Sequence, residues 1–96
     1  MEEQVQPGKG MNFSDAMRLI VQEVYSATSR YPLWPSNLVM AAAIAEEESG
    51  EVVKECNTYH WKQGPTTLDD IRKEAIQAAA MWIRFLVDTP EMGDGL

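Results

Sequence analysis

Two acidic side chains interrupt apolar series that recur at helical spacing in this sequence. The first series, with steps of three and four residues, runs through Leu38, Ala41, Ala45, Glu48 and Val52. The second has the same steps and runs through Ile71, Glu74, Ala78, Met81 and Phe85. Such steps place residues on one face of a helix, the face that packs against a partner helix. Glu48 and Glu74 therefore occupy positions where an unpaired carboxylate is costly and is normally protonated or paired.

Further oxygen-bearing side chains lie one helical turn from these two carboxylates. Glu51 follows Glu48 by three residues, and Glu47 lies one turn before Glu51. Gln77 follows Glu74 by three residues. Like charges at this spacing destabilise a helix unless something cationic lies between them.

A divalent cation with oxygen ligands would relieve this repulsion. Lys54, the nearest basic residue on the first acidic helix, does not clearly share its acidic face. Mg²⁺ binds in proteins through one or two carboxylates, several waters and the phosphates of a substrate. The alternative is a solvated acidic surface, which is the preferred interpretation for Glu46 and Glu55 at the ends of the acid-rich run. For the two carboxylates on apolar faces, the pattern favours a magnesium site.

Three helical segments position these side chains. The predicted segments run from Ser14 to Tyr31, from Ser36 to Asn57 or Tyr59, and from Thr67 to about Val87. Ser14 and Ser36 are good N-caps, and Thr67 followed by Asp70 resembles a capping box. Pro32 and the Gly64-Pro65 pair separate the segments. Since no run alternates as a strand does, the sequence predicts an all-α fold, an antiparallel bundle of three main helices.

The two ends of the chain are poor in core-forming residues. Residues 1–12 are predicted to form a flexible N-terminal arm and residues 89–96 a flexible tail, which leaves residues 13–88 as one helical domain. A domain of this size buries only about 60–65% of the surface of its unfolded chain. Oligomerisation is therefore expected to complete the bundle.

Composition limits the partners and the compartment. Fifteen acidic against eight basic side chains give a net charge of −7, which disfavours binding to a nucleic acid polymer. The single cysteine, Cys56, has no second thiol for an internal disulfide. Residues 1–10 lack the apolar core of a signal peptide, and no apolar run approaches the roughly 20 residues that span a bilayer. A cytoplasmic protein without a membrane partner is expected.

Small and aromatic residues leave alternatives open. The alanine runs at 41–45 and 78–80 indicate either closely packed helices, which we prefer, or high helix propensity alone. His60, between Tyr59 and Trp61, belongs either to a loop that contacts a base or phosphate or, preferably, to an aromatic plug at the end of the bundle. Trp34 poses the same choice, and packing is again preferred. Trp82 is expected in the core or in an oligomer interface.

The acidic pattern resembles the signature of a known family. Glu47-Glu48-Ser49-Gly50-Glu51 is similar to the E-E-x-x-E half of the signature of the MazG-like, all-α nucleoside triphosphate pyrophosphohydrolases. Glu74-Ala75-Ile76-Gln77 stands where the second half, E-x-x-D, is expected, after 22 intervening residues. The resemblance covers roughly residues 14–88.

This resemblance implies a bundle of antiparallel helices, working as a homodimer or homotetramer, that cleaves the α–β phosphoanhydride bond of a nucleoside triphosphate. The products would be a nucleoside monophosphate and pyrophosphate, and the cofactor Mg²⁺, with Mn²⁺ as a substitute. Carried over by position, Glu48, Glu51 and Glu74 would be metal ligands, with Gln77 in the fourth ligand place. Glu47 would orient a ligand or act as the base that prepares the attacking water.

One position departs from the family pattern, because Gln77 stands in place of the final aspartate. An amide keeps an oxygen ligand but loses a charge, so the site would hold Mg²⁺ less tightly, hold fewer ions or lack catalysis. A non-catalytic helical module for nucleotide sensing or protein interaction is therefore the alternative function, and a helical assembly protein without metal is the third. Lys54 and Arg84 are the candidate cations for binding a triphosphate. Arg84 lies two turns beyond Gln77 on a similar face of the third helix.

Overall fold

The computed structural model describes residues 10–93, and this part of the chain is helical, without a β-strand. The elements are α1 (Phe13–Arg30), α2 (Leu38–Trp61), α3 (Leu68–Asp88) and a short 3₁₀-helix (Pro90–Gly93). The predicted all-α fold with three main helices is confirmed. Most of the predicted N-terminal arm, residues 1–9, and the last part of the predicted tail, residues 94–96, lie outside the described residues. Within the described range, no helix combines the length and hydropathy needed to cross a bilayer.

Asparagine side chains cap the first two helices. The Asn12 side chain accepts hydrogen bonds from the backbone N–H groups of Ser14 and Asp15, and Asn37 accepts one from Met40. The predicted caps were therefore misplaced by one or two residues. Asparagine and serine cap helices about equally well, so the residue types alone could not separate them.

The start of α3 matches its prediction. The Thr67 hydroxyl accepts the backbone N–H of Asp70, and the Asp70 carboxylate accepts the backbone N–H of Thr67. This reciprocal pair is a capping box, in which each side chain satisfies a donor that the first helical turn leaves free. The helix ends at Asp88, one residue beyond the predicted boundary, whereas α2 continues to Trp61 and stops where Lys62 adopts a left-handed conformation (φ 53°).

Helix α3 lies between the other two helices and packs against both. Among residues 10–93, the buried apolar side chains are all alanines, namely Ala27 on α1, Ala41 and Ala45 on α2, and Ala78 and Ala80 on α3. Side chains this small let helix axes approach closely. Four alanines of the two runs are thus buried in the packed bundle, in line with the preferred interpretation, whereas Ala43 is exposed, and many larger apolar side chains keep part of their surface exposed.

Contacts along the helices fix their relative directions. Ala16 near the start of α1 borders the same cavity as Arg72 near the start of α3, and Arg84 near the end of α3 reaches Tyr31 just after α1. These contacts show that α1 and α3 run in the same direction. Helix α2 runs oppositely, because Ser49 in its middle contacts Trp82 while Glu55, nearer its end, contacts Thr66 just before α3.

A buried polar cluster ties the α1–α2 connection to the end of α3. The Arg84 side chain is 2% exposed and donates to the Asp88 carboxylate at 2.9 Å and to the Tyr31 carbonyl at 3.0 Å. Its guanidinium lies 4.7 Å from the centre of the Trp34 ring. The Trp34 indole N–H donates to the hydroxyl of buried Thr89 at 2.9 Å. Trp34 therefore packs, as preferred from the sequence.

Two sequence-based expectations differ from the structure near the ends of the helices. Thr89 is buried and the next residues form a 3₁₀-helix, so the folded domain extends past the predicted start of the tail at residue 89. His60 and Trp61 are exposed and stack edge to face on each other at the end of α2. The predicted aromatic plug is therefore wrong, because the bundle end that these rings were expected to close leaves them in solvent.

Enlarging one of the buried alanines should destabilise the bundle. We expect Ala45→Leu to lower the free energy of unfolding by about 1–3 kcal/mol, because extra methylenes in a close helix contact force the axes apart. Ala43→Leu, the same change on an exposed face of α2, should alter it by less than about 0.5 kcal/mol. Urea unfolding followed by circular dichroism measures both, and equal effects would contradict the packing.

Candidate functional site

The acidic centre of the structure consists of Glu48 on α2 and Glu74 on α3. Both side chains are half-buried. The pKa of Glu48 is raised above its ordinary value, first by the loss of hydration on burial and next by repulsion from Glu74. Smaller contributions come from the charges of Glu47, Glu51 and Glu23. The carboxylates that the sequence places on two apolar faces thus lie close enough to influence each other.

Glu74 has the same kind of environment. Its pKa is raised, again first by desolvation and then by repulsion from Glu51, Glu55 and Asp70. Glu51 is exposed, yet its charge acts on both half-buried carboxylates. Because repulsion between neighbouring carboxylates is mutual, the site favours a state with fewer negative charges or with an added cation.

The carboxylates share a region without forming a ready-made metal cage. Among residues 10–93, no three or more His, Cys, Asp or Glu side chains are grouped so that they could hold a metal ion together. The donor chemistry of Glu48, Glu74 and Gln77 nevertheless fits Mg²⁺, which accepts oxygen ligands and keeps several positions for water and substrate phosphates. A cation here would complete its coordination with ligands from outside this cluster.

A cavity of about 430 Å³ opens beside Glu48 and Gln77, both of which line it. All three helices and the connection after α1 contribute to its walls. The apolar part of the wall consists of Leu33, Trp34, Ile44 and Met81. A cavity of this size, with apolar walls and a few convergent polar groups, has the properties of a site for a small organic molecule.

The other predicted site residues lie in different surroundings. Glu47 is exposed on α2, and neither it nor Glu51 lines the cavity. Lys54 is also exposed and does not line it. Arg84 does line the cavity, but its guanidinium is buried in the polar cluster with Asp88, the Tyr31 carbonyl and Trp34. The structure thus brings Glu48 and Gln77 to the cavity and keeps Lys54 away from it.

Two residues of α1 that the sequence did not suggest also line the cavity, namely Glu23 and Arg30. Arg30 Nη2 donates to Glu23 Oε2 at 2.8 Å. A signal for Glu23 was present, since it follows Ile20 by three residues and precedes buried Ala27 by four. Like the acids of the other two helices, it interrupts an apolar face.

Comparison with known proteins adds no neighbour to this description. No protein-family model, no curated protein and no solved structure matches the chain. Interpretation of the site therefore rests on its own side chains and their surroundings.

Removing the charge of Glu48 should stabilise the fold at neutral pH. A raised pKa means that the folded chain binds a proton more readily than the unfolded chain, so stability is lost as the pH rises from the ordinary value through the raised one. We expect Glu48→Gln to increase the free energy of unfolding at pH 7 by about 1 kcal/mol, through relief of like-charge repulsion and partial desolvation. The gain should shrink as the pH falls towards 4.5.

The matched control is Glu46→Gln, an exposed carboxylate on the same helix. This exposed substitution should change the free energy of unfolding at pH 7 by less than about 0.5 kcal/mol. Urea titrations between pH 4.5 and 8, at one protein concentration, measure the difference. A loss of stability for Glu48→Gln at pH 7 would show that a partner compensates the Glu48 charge.

Proposed function

We propose that this protein is a Mg²⁺-dependent nucleoside triphosphate pyrophosphohydrolase of the MazG-like kind. The observation that carries the proposal is Glu48, a half-buried carboxylate that lines a cavity of about 430 Å³ and whose pKa is raised by burial and by repulsion from Glu74 on the neighbouring helix. Acids whose pKa is raised by burial and by neighbouring charges, in or near a concave site, are candidates for catalytic and ligand sites. The spacing of these acids in the sequence, similar to the family signature, is the second support.

Each acid has a role in this proposal. Glu48 and Glu74 would bind Mg²⁺, or Mn²⁺ in its place, with the amide oxygen of Gln77 and with ligands from outside this cluster. Glu51, which is exposed, would reach the ion only after its side chain moves. When bound, the ion would neutralise charge on the phosphate oxygens. Glu47, which is exposed one residue before Glu48, would orient the attacking water and accept its proton.

The proposed reaction is a hydrolysis. The oxygen of water bonds to the α-phosphorus, and the bond from that phosphorus to the α–β bridging oxygen breaks, which gives a nucleoside monophosphate and pyrophosphate. The apolar wall formed by Leu33, Ile44 and Met81 suits the flat, weakly hydrated face of a base, while Glu48 and Gln77 lie on the polar side of the same cavity.

A non-catalytic module that senses nucleotides or binds proteins is the second candidate. Two observations favour it. Gln77 supplies no charge at the fourth ligand position, and the described part of the chain has no preformed group of three metal-binding side chains. Such a protein would bind the nucleotide with Mg²⁺ and release it unchanged.

We also propose that the chain works as a homo-oligomer. The side chains Phe13, Met17, Val21 and Tyr25 follow one another at steps of four along α1 and are all exposed. In the described part of the chain the buried apolar side chains are alanines, and the larger ones keep part of their surface exposed, so a single copy leaves much apolar surface in water. A second copy that covers the stripe on α1 would supply the missing burial.

An assay of pyrophosphate release tests the activity. Purified protein is incubated with Mg²⁺ and a panel of ribo- and deoxyribonucleoside triphosphates. We expect release by the wild type and a loss of about a hundredfold or more for Glu48→Gln, since even outer partners of a metal site contribute up to that amount. Glu46→Gln, the exposed neighbour, should release pyrophosphate at the wild-type rate.

Other outcomes separate the remaining hypotheses. Magnesium-dependent nucleotide binding without release of pyrophosphate would favour the sensing module. Gln77→Asp restores the charge of the family pattern, so this variant should then recover turnover if the missing charge at the fourth ligand position is all that prevents catalysis. Absence of both binding and release, combined with a more stable Glu48→Gln variant, would leave a helical assembly protein without metal.

Charge placed in the α1 stripe tests the oligomer. We expect Val21→Glu to shift the protein to the monomer in light scattering coupled to gel filtration, because a buried carboxylate in an interface is strongly unfavourable. Gln22→Glu adds the same charge to an exposed neighbouring position and should leave the assembly intact. A monomeric wild type at micromolar concentration would contradict the proposal.

A further inference from the structure

Arg30, the last residue of α1, is a cation whose donors are accessible from the cavity. Its side chain is 53% exposed and lines the cavity together with Glu48 and Gln77. Arg84 is the other cation in the cavity lining, but it is buried and already donates to a carboxylate and a backbone carbonyl. An anionic ligand in this cavity therefore has Arg30 as its accessible positive partner.

Arg30 forms an ion pair with Glu23 on the same helix. The pair is seven residues, or two helical turns, apart, so both side chains lie along the same side of α1. One hydrogen bond of 2.8 Å joins Arg30 Nη2 to Glu23 Oε2, and the Nε–H has a long contact of 3.4 Å with the Ser26 carbonyl. The Arg30 side chain is 53% exposed and the Glu23 side chain 22% exposed, so water reaches the arginine side of the ion pair and a stronger acceptor can replace Glu23 there.

We propose that Arg30 binds a phosphate group of the ligand and that Glu23 occupies the place of that phosphate in the free protein. This inference rests on the proposed function, since it assigns Arg30 to the polyphosphate at the same site. A guanidinium donates two parallel hydrogen bonds to a phosphate, a stronger and better oriented contact than the single bond to Glu23.

The exchange links the phosphate to the divalent cation. Once Arg30 leaves, Glu23 becomes an unpaired carboxylate in the lining that it shares with Glu48. A divalent cation bound at Glu48 offsets that added negative charge. Polyphosphate and Mg²⁺ should therefore each tighten the binding of the other, as linkage requires.

Calorimetric titration of tripolyphosphate in the presence of Mg²⁺ tests the inference without a need for turnover. We expect Arg30→Gln to weaken binding by about tenfold to a hundredfold, the effect of losing a charged hydrogen-bond donor. Glu23→Gln should tighten binding by about two- to fivefold, because the ligand no longer competes with an exposed ion pair. Arg30→Lys, which keeps the charge without the fork, should fall between wild type and Arg30→Gln.

The double variant Glu23→Gln/Arg30→Gln separates exchange from general repulsion. If Glu23 acts by holding Arg30, its substitution should change binding in the wild-type background and leave it unchanged in the Arg30→Gln background. An equal gain in both backgrounds would mean that Glu23 repels the ligand directly, and the exchange would be wrong.

A second ion pair on the same helix serves as control. Arg18 Nη2 lies 3.8 Å from Asp15 Oδ1, and both side chains are exposed. Neither residue lines the cavity. Arg18→Gln and Asp15→Asn should leave tripolyphosphate binding unchanged. Circular dichroism of every variant verifies that the helices are retained.

The outcomes distinguish this inference from the proposed function. Wild-type affinity in Arg30→Gln would overturn the role of Arg30 and leave the pyrophosphohydrolase proposal intact. A loss of affinity for a nucleoside triphosphate but not for tripolyphosphate would place Arg30 against the base or sugar, which also overturns it. Failure of the wild type to bind either compound with Mg²⁺ would remove the proposed function and this inference together.

Discussion

The close approach of three helices over alanine side chains is the constraint on which the candidate site depends. Ala45 on α2 and Ala78 on α3 are buried in a structure in which these two helices pack against each other, and side chains one turn away on the same faces lose part of their hydration. Glu48 follows Ala45 by three residues and Glu74 precedes Ala78 by four, so each acid lies on the same helix face as a buried alanine. The pKa values of the two acids are thus raised first by burial and only secondarily by neighbouring carboxylates, Glu74 in the case of Glu48 and Glu51 in the case of Glu74.

The charged side chains inside the bundle have two kinds of surroundings. Arg84 is almost completely buried, and its guanidinium is satisfied by a carboxylate, a backbone carbonyl and the face of Trp34. Glu48 and Glu74 are less buried, yet no basic side chain of residues 10–93 forms an ion pair with them. Loss of a partner of a buried cation would leave an uncompensated charge and destabilise the fold, whereas half-buried unpaired anions lower stability as they stand and are candidates for binding something else.

Local sequence patterns predicted the helical fold, and they predicted only part of the candidate site. The capping box at Thr67 and the alanine runs identified α3 and its packing face, because both depend on residues within one or two turns. The position of Arg84 in a buried cluster could not be foreseen, since its partners Tyr31 and Trp34 come from a distant connection. Glu23 was missed for a different reason. It is a single acid on the apolar face of α1, whereas Glu48 on α2 belongs to a cluster of acidic residues in the sequence.

The central position of α3 has a consequence for how the chain is made. Helix α3 packs against both α1 and α2, yet it follows both in the sequence. During synthesis, α1 and α2 leave the ribosome before the helix that covers their apolar faces, and in proteins most helical stability comes from such tertiary packing. The bundle closes only after Arg84 and Thr89 have emerged and can contact the α1–α2 connection. Folding is therefore delayed until translation has passed the last helix, and the nascent segment is exposed to chaperones and proteases until then.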